Sequence, residues 1–361
     1  MQSNFFKYQA HFDSIRAIAV IFVLLYHLNK EIFPFGYIGV DIFFVISGYV
    51  ITQTLIKRFY INKKIYILEF YVKRLLRLFP TLLTVILVFF FVYILIVPYG
   101  DFEYLITFKS AFFSVFGLGN FYFFSNIDQF NYFHITDNSV PLIHTWSLGV
   151  EEQFYFIYPF LIVMSFWTLN LFKKKIDNFC IVIFFLIIVS FLFFATDHPF
   201  WSHFYLPFSR AWEILCGGLI FFIKEKNIIN FKINKIPLIF FLIISSFLII
   251  IFLLLNQKIN YKYLVLTSVI STLFIIYFYN NNFYLKKILE NSISVYIGKA
   301  SYSIYLWHMP IIYFSNLYFD NLEQRRTQIL SVKIDADFYR NNPSRTLRTN
   351  QGYVHKLFLR K

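Results

Sequence analysis

An arginine and a histidine interrupt the first apolar segment of the chain, and both side chains could take part in chemistry. Arg16 and His27 lie eleven residues apart in DSIRAIAVIFVLLYHL, residues 13–28. On an α-helix this spacing returns to the same face within about 20°, with a rise of about 16 Å. Ionisable groups are costly in lipid and normally face a protein interior or a water-filled cavity. We therefore predict that this helix forms one wall of a reaction site, with Asp13 orienting Arg16 from one turn away.

A second group of polar residues lies in PLIHTWSLGVEEQFYFIYP, residues 141–159. His144, Ser147 and Glu151 share one helix face, whereas Glu152 points about 100° away. Carboxylates near the start of a helix can also be solvated charges that the helix dipole favours. That interpretation explains one glutamate but not the stripe of three, so we expect this stripe to belong to the site.

Two further segments carry ionisable residues inside apolar runs. In RAWEILCGG, residues 210–218, Arg210 and Glu213 are one turn apart, and they either pair with each other or serve the site. In KASYSIYLWHMP, residues 299–310, the hydroxyl groups are typical of contacts between helices. His308 is the residue of this segment that we assign to the site.

A basic ridge precedes the third apolar run, in FYVKRLLRLFP, residues 70–80. Lys73, Arg74 and Arg77 act as a topology determinant there. Arg74 and Arg77 are also spaced to present two guanidinium forks to an anion, which predicts a phosphate-binding site.

Composition places the chain among helical membrane proteins. Of the 361 residues, 58% are hydrophobic and 14% are charged, whereas about a quarter are charged in soluble proteins. The net charge of +14 is distributed in short clusters between apolar runs, which indicates cytoplasmic loops and not a nucleic-acid partner. Cys180 and Cys216 lie in separate predicted spans, where we expect small buried hydrophobic residues and no disulfide or metal site.

Apolar runs predict the membrane topology. The predicted spans are about 14–30, 37–56, 78–97, 147–169, 179–195, 208–223, 237–255, 262–279 and 300–319. The basic clusters place the N-terminus in the cytoplasm. Parity then prevents 106–124 from crossing fully, so we predict a re-entrant or interfacial segment, broken near Gly117, Gly119 and Asn120. The predicted fold is an all-α polytopic membrane protein, with about nine to ten transmembrane helices around a polar central cavity.

The two ends of the chain differ in character from its apolar body. The first residues lead directly into a span, and we expect no cleavable signal peptide. Residues 1–319 form the predicted membrane domain, and 320–361 form a polar basic tail that we expect to be poorly ordered.

Six stretches, taken together and in this order, resemble the membrane-bound acyltransferase-3 family. This family contains O-acyltransferases that modify cell-surface polysaccharides, lipopolysaccharide O-antigen and peptidoglycan. The stretches are FDSIRAIAVIFVLLYHL, GYIGVDIFFVISGYVIT, FYVKRLLRLFP, PLIHTWSLGVEEQFYFIYP, RAWEILCGGL and IGKASYSIYLWHMP, within about residues 12–313. After WHMP the family pattern continues with one more span, which a different tail replaces here, so the resemblance implies a C-terminally truncated member.

The resemblance also implies roles for individual residues. The arginine-to-histidine motif of the first helix falls on Arg16 and His27, with the histidine essential. The functional carboxylate falls on Glu151, with Glu152 as the weaker candidate. The phosphates of an acyl-CoA donor are expected at the basic ridge. The stretch GVDIFFVISGY implies that Asp41 and Ser47 lie near the site.

These observations predict an O-acyltransferase of the bacterial cytoplasmic (inner) membrane. The expected reaction moves an acyl group, most simply acetyl from acetyl-CoA, to a glycan hydroxyl, without a metal. His27 would act as general base or as acyl carrier, with Glu151 or Asp41 orienting it. The expected partners are a lipid-linked or surface glycan and membrane lipid. The alternatives are a transporter or flippase for polysaccharides or lipid-linked sugars, and an inactive truncated acyltransferase.

Overall fold

The structure, a computed structural model, consists of α-helices and the loops between them. It describes residues 8–62, 66–97, 102–126, 140–168, 175–196, 198, 200, 203–225, 260–279 and 283–341. Within these ranges there are eleven α-helices and no β-strand, which confirms the all-α prediction. The helices are α1 (Ala10–Leu28), α2 (Gly39–Asn62), α3 (Ile67–Ile96), α4 (Phe102–Val115), α5 (Gly119–Ser125), α6 (Thr145–Thr168), α7 (Lys175–Ala195), α8 (Pro207–Glu225), α9 (Tyr261–Phe278), α10 (Phe283–Leu289) and α11 (Ser292–Asn341).

Four of the described segments are long and apolar enough to cross a membrane. They are Ala10–Leu28, Gly36–Lys57, Ile67–Ile96 and Tyr261–Phe278. Two shorter apolar helical segments, Tyr104–Val115 and Phe179–Ala195, accompany them. The total of nine to ten spans stays a prediction, and the predicted span at 237–255 lies outside the described residues.

Helix α3 begins earlier than the apolar run that predicts it. The predicted span starts at 78, whereas α3 starts at Ile67 and contains the whole basic ridge. Leucine, lysine and arginine are good helix formers, so the helix continues beyond the apolar part of its sequence. The ridge therefore lies on the first turns of α3 and not in a loop before it.

Two glycines allow α2 and α8 to pack backbone against backbone. A Cβ atom on Gly48 would lie 1.7 Å from the carbonyl oxygen of Ile214, and one on Gly217 would lie 1.9 Å from that of Val45. Small residues at such crossings are the usual means of close helix packing in membranes. Asp41 and Arg210 each lie about two turns before this crossing, and they face each other across it.

The segment predicted to be interrupted, 106–124, is divided between α4 and α5. Gly117, between the two helices, has a φ of 67°, a left-handed conformation that glycine adopts at little cost. A Cβ atom there would also lie 2.4 Å from Oε2 of Glu152. The break is therefore at the predicted glycines, and the depth of this segment in the membrane stays a prediction.

Two compact units divide the chain, Met1–Pro310 and Ile311–Lys361. The first contains all the residues that the sequence assigns to the site. In the second, α11 continues to Asn341, so the first part of the predicted tail is helical, and 342–361 lie outside the described residues. The predicted domain boundary at 319 stays a prediction.

Candidate functional site

A cavity of about 390 Å³ lies between α1, α2, α3, α6 and α11. Its charged lining residues are Asp13, Arg16, Arg74, Arg77, Glu151, Glu152 and Lys299. Two predicted site serines, Ser47 and Ser147, line it as well. The cavity thus brings together residues from helices that are far apart in sequence, and four of its charges are positive.

The arginines of the cavity are held by acidic and aromatic neighbours. Arg16 Nη1 lies 3.1 Å from Oδ1 of Asp13, as the spacing predicts. Tyr8 donates a hydrogen bond to the same carboxylate. Partial desolvation of this hydroxyl and its hydrogen bond to Asp13 raise the pKa of Tyr8 to about 12, which keeps it a donor. Arg74 stacks on the ring of Tyr155, with its guanidinium carbon 3.9 Å from the ring centroid.

Lys73 does not join these arginines. Its Nζ lies 2.5 Å from Oε1 of Glu69, one turn earlier in α3, and both side chains are largely exposed. Lys73 is not among the residues that line the cavity. Since successive helix positions are rotated by about 100°, Lys73 and Arg74 cannot share a face.

Glu151 is at the centre of a hydrogen-bonded group on the cavity wall. Ser47 donates to its Oε1 at 3.0 Å, and Tyr155 donates to its Oε2 at 2.5 Å. Arg74 Nη2 lies 4.0 Å from the same Oε2. These three contacts hold the carboxylate in one position on the cavity wall. Glu152, the weaker candidate from sequence, also lines the cavity and lies beside Gly117.

Three histidines form a buried cluster next to the cavity. The ring centroids of His27 and His308 are 5.2 Å apart, and those of His144 and His308 are 4.9 Å apart. Nδ1 of His308 lies 2.5 Å from the carbonyl oxygen of Tyr305, so this nitrogen carries the proton. Nε2 of His308 then keeps its lone pair, and it is buried with no hydrogen-bond partner among the residues that the structure describes. His27 is not among the cavity-lining residues, so the predicted base and the predicted donor site are neighbouring and separate.

Tyr305 lies between the cavity and the histidine cluster. It lines the cavity, and its ring centroid is 5.4 Å from that of His144 and 5.3 Å from that of His308. Its hydroxyl donates to the carbonyl oxygen of His144 at 2.9 Å and lies 2.7 Å from the hydroxyl of Ser147. The sequence did not single out Tyr305, Tyr155 or Lys299. The signal for Tyr305 was the run of hydroxyl residues in KASYSIY, which we interpreted as helix contacts.

Asp41, Arg210 and Glu213 form a separate, fully buried ionic cluster. Arg210 lies 2.7 Å from Asp41 and 3.0 Å from Glu213, and all three side chains are at most 1% exposed. The guanidinium also lies 4.9 Å from the ring centroid of Phe204. The pairing of Arg210 with Glu213 agrees with the structural alternative from sequence. Asp41, expected near the site, is not among the cavity-lining residues and has Arg210 as its ion-pair partner.

The described residues contain no group of three His, Cys, Asp or Glu side chains that could hold a metal ion. Cys180 and Cys216 are thiols that are half-buried, where we expected full burial.

Comparison with known proteins places the chain in a family. A family model described as an acyltransferase domain, of the acyltransferase-3 type, matches residues 9–334. O-acetyltransferase OatA from Staphylococcus aureus strain NCTC 8325 / PS 47 is 34% identical over 335 residues, covering 87% of this chain and 52% of that protein. OatA from strain COL gives the same values. The chain thus spans about half the length of the curated relatives it matches, and no solved structure matches it significantly. Because the family model covers most of its length, this chain belongs to the acyltransferase-3 family.

Proposed function

We propose that this chain transfers an acetyl group from acetyl-CoA to a hydroxyl of a cell-surface glycan. One observation carries the proposal: a cavity lined by Arg16, Arg74 and Arg77 adjoins a buried histidine cluster that contains His27. The first group suits a polyanionic donor, and the second suits proton transfer from a hydroxyl. Membership of the family, and the name O-acetyltransferase of the relatives, support acetyl as the transferred group.

The cationic residues of the cavity would bind the phosphates of the donor. Guanidinium groups present paired N–H donors to phosphate oxygens, and Arg74 and Arg77 lie one turn apart on α3. Arg74 is held by the ring of Tyr155 and by Glu151, so less conformational entropy is lost when it binds an anion. The acyl-thioester end would then extend towards Ser147 and Tyr305, at the cavity wall nearest the histidines.

His27 would act as the general base. A neutral imidazole accepts the proton of the glycan hydroxyl while the hydroxyl oxygen attacks the carbonyl carbon of the thioester. The carbon–sulfur bond then breaks, and the thiolate of CoA leaves and takes up the proton. In the alternative order, a nitrogen of His27 attacks the thioester first, CoA leaves, and the glycan hydroxyl then displaces the acyl group from the imidazole. His308 lies against His27 and would share the proton through its Nε2, which has no hydrogen-bond partner within the described ranges.

The orientation in the membrane follows from charge. The basic loops favour a cytoplasmic N-terminus in the bacterial inner membrane. The beginning of α1, with Arg16, would then face the cytoplasm, where acyl-CoA is made, and His27 would lie towards the outer face. The glycan acceptor would approach from that side, with 106–124 as a re-entrant or interfacial segment in the outer region.

Deletion and complementation of the gene test this function. The O-acetyl content of surface glycans is measured by mass spectrometry after complementation with the wild type, with His27→Ala and with the matched control His198→Ala. His198 is an exposed histidine outside the cavity, so its variant should restore acetylation, whereas His27→Ala should not. Immunoblots confirm equal amounts of protein. Full acetylation with His27→Ala contradicts the role of this residue, and loss of the whole polymer on deletion indicates the transporter alternative.

A further inference from the structure

One aromatic ring lies between the cavity and the histidine cluster. Tyr305 is 5% exposed and has the cavity on one side and the rings of His144 and His308 on another. Phe43, another lining residue, packs edge-on against it at 6.0 Å between centroids. A group that enters the cavity and moves towards the histidines therefore meets this ring first.

The ring is held in place through its hydroxyl. The oxygen donates to the backbone carbonyl of His144 and lies within hydrogen-bond distance of Ser147. His144 immediately precedes α6 and Ser147 lies in its first turn, and both residues are buried. Displacement of the ring would break two buried hydrogen bonds, and this is costly.

We propose that the Tyr305 ring limits the length of the acyl group that the enzyme transfers. An acetyl group ends in a single methyl group, which can reach the ring without displacing it. Each additional methylene must either push the ring aside or withdraw the thioester carbonyl from the histidine cluster. This inference rests on the proposed acyl-CoA donor, and it assigns to Tyr305 a role in specificity, since the proton transfer is assigned to His27.

Transfer rates with donors of different chain length provide the first test. The purified full chain in nanodiscs is compared with acetyl-, butyryl- and hexanoyl-CoA. One methylene changes selectivity by about 10-fold or more in a tight pocket, so the wild type should prefer acetyl-CoA over butyryl-CoA by at least about 10-fold in kcat/KM. Tyr305→Ala should reduce this ratio to about 2-fold or less.

Tyr302→Ala is the matched control, because Tyr302 lies one turn earlier on α11, lines the same cavity and donates its hydrogen bond to Leu78 on α3. Its removal should enlarge the cavity beside α3 and not beside the histidines, so the acetyl-to-butyryl ratio should stay at the wild-type value. If Tyr302→Ala relaxes the ratio as much as Tyr305→Ala, cavity size in general sets the preference and the inference is wrong.

Binding of unreactive donors keeps the inference separate from catalysis. S-ethyl-CoA and S-butyl-CoA are thioethers that bind without transfer, and Tyr305→Leu is a second variant that retains an apolar side chain. The wild type should bind S-ethyl-CoA about 10-fold more tightly than S-butyl-CoA, and Tyr305→Leu should bind both equally. Equal binding of both by the wild type overturns the inference. If the protein binds both thioethers but transfers nothing from acetyl-CoA, the proposed function is refuted, and the ratio of the two binding affinities still tests the role of Tyr305. If the protein binds neither thioether, the proposed function and the inference about Tyr305 are both refuted.

Discussion

The cavity arginines make a quantitative prediction about the donor. Arg74 is 21% exposed and would contact a phosphate in a partly desolvated site, where a charge-assisted hydrogen bond is worth about 1.5–3 kcal/mol. Its existing contacts with Tyr155 and Glu151 reduce the gain, so we take the lower value of about 1.5 kcal/mol, which is roughly 10-fold in affinity. Arg77 is more exposed, and its removal should cost about 3-fold, because solvent screens its charge.

The assay is the initial rate of acetyl transfer in nanodiscs over a range of acetyl-CoA concentrations. We expect Arg74→Ala to raise KM about 10-fold, whereas Lys73→Ala should leave KM within about 2-fold. Lys73 is the matched control, because it is the adjacent cation of the same ridge and pairs with Glu69 outside the cavity. A lower kcat with unchanged KM would show that Arg74 acts on Glu151 and not on the donor.

Two further measurements distinguish phosphate binding from general electrostatics. The wild-type KM should rise with NaCl between low and physiological salt, and Arg74→Ala with Arg77→Ala should flatten that dependence. Acetyl-dephospho-CoA should be a poorer donor for the wild type than acetyl-CoA, with a smaller difference for the double variant. The reasoning is refuted if Lys73→Ala raises KM as much as Arg74→Ala, or if the double variant has the wild-type KM.

Four other substitutions test the packing and the carboxylate group. Arg210→Met should lower the free energy of unfolding in detergent by about 3–5 kcal/mol, because it leaves buried carboxylates unpaired; Glu213→Gln should cost less, since Asp41 still balances the guanidinium charge. Gly217→Val, with its Cβ 1.9 Å from a carbonyl oxygen, should cost about 3 kcal/mol or more in the same unfolding assay. Ser47→Ala removes one hydrogen bond to Glu151 and should lower kcat/KM about 5-fold in the transfer assay. Equal stability of the Arg210→Met and Glu213→Gln variants would contradict the ionic cluster, and a Gly217→Val protein as stable as the wild type would contradict the close packing of α2 on α8. An unchanged kcat/KM of Ser47→Ala would contradict a role for its hydrogen bond to Glu151.

Helical periodicity predicted the relations that lie within one helix. The pairs Asp13–Arg16 and Arg210–Glu213 are one turn apart, and the structure contains both as ion pairs. Glu151 and Ser147 line the same cavity, as their shared face suggests. These relations depend on the geometry of a single helix, which sequence spacing determines.

Relations between helices could not be derived in this way. The hydrogen bond from Ser47 to Glu151 and the ion pair of Asp41 with Arg210 join residues more than a hundred positions apart. Which helix packs against which depends on close contacts such as that of Gly48 with Ile214, and periodicity does not specify the neighbour. The family resemblance implied that Asp41 lies near the site. In the structure, the packing of α2 on α8 pairs Asp41 with Arg210 in the buried ionic cluster.

Residues of ordinary type were missed for a physical reason. Tyr305 and Tyr155 are two of the 27 tyrosines in the chain, and an aromatic residue in a membrane helix is more often a packing residue than part of a site. Lys73 was grouped with the arginines because charge alone does not reveal which members of a basic ridge face solvent. Only the rotation of α3 separates them.

The length of α3 relates the position of Arg74 and Arg77 to the thickness of the bilayer. Its 30 residues extend about 45 Å, whereas the hydrocarbon core is about 30 Å thick. Only 28% of its most apolar stretch is buried in the protein. The apolar part that follows the basic ridge, residues 78–96, extends about 28 Å, which is close to the hydrocarbon thickness. Because such a helix tilts more in a thin bilayer than in a thick one, we expect the depth of both guanidinium groups, and with it the affinity for the proposed donor, to change with the lipid composition of the membrane.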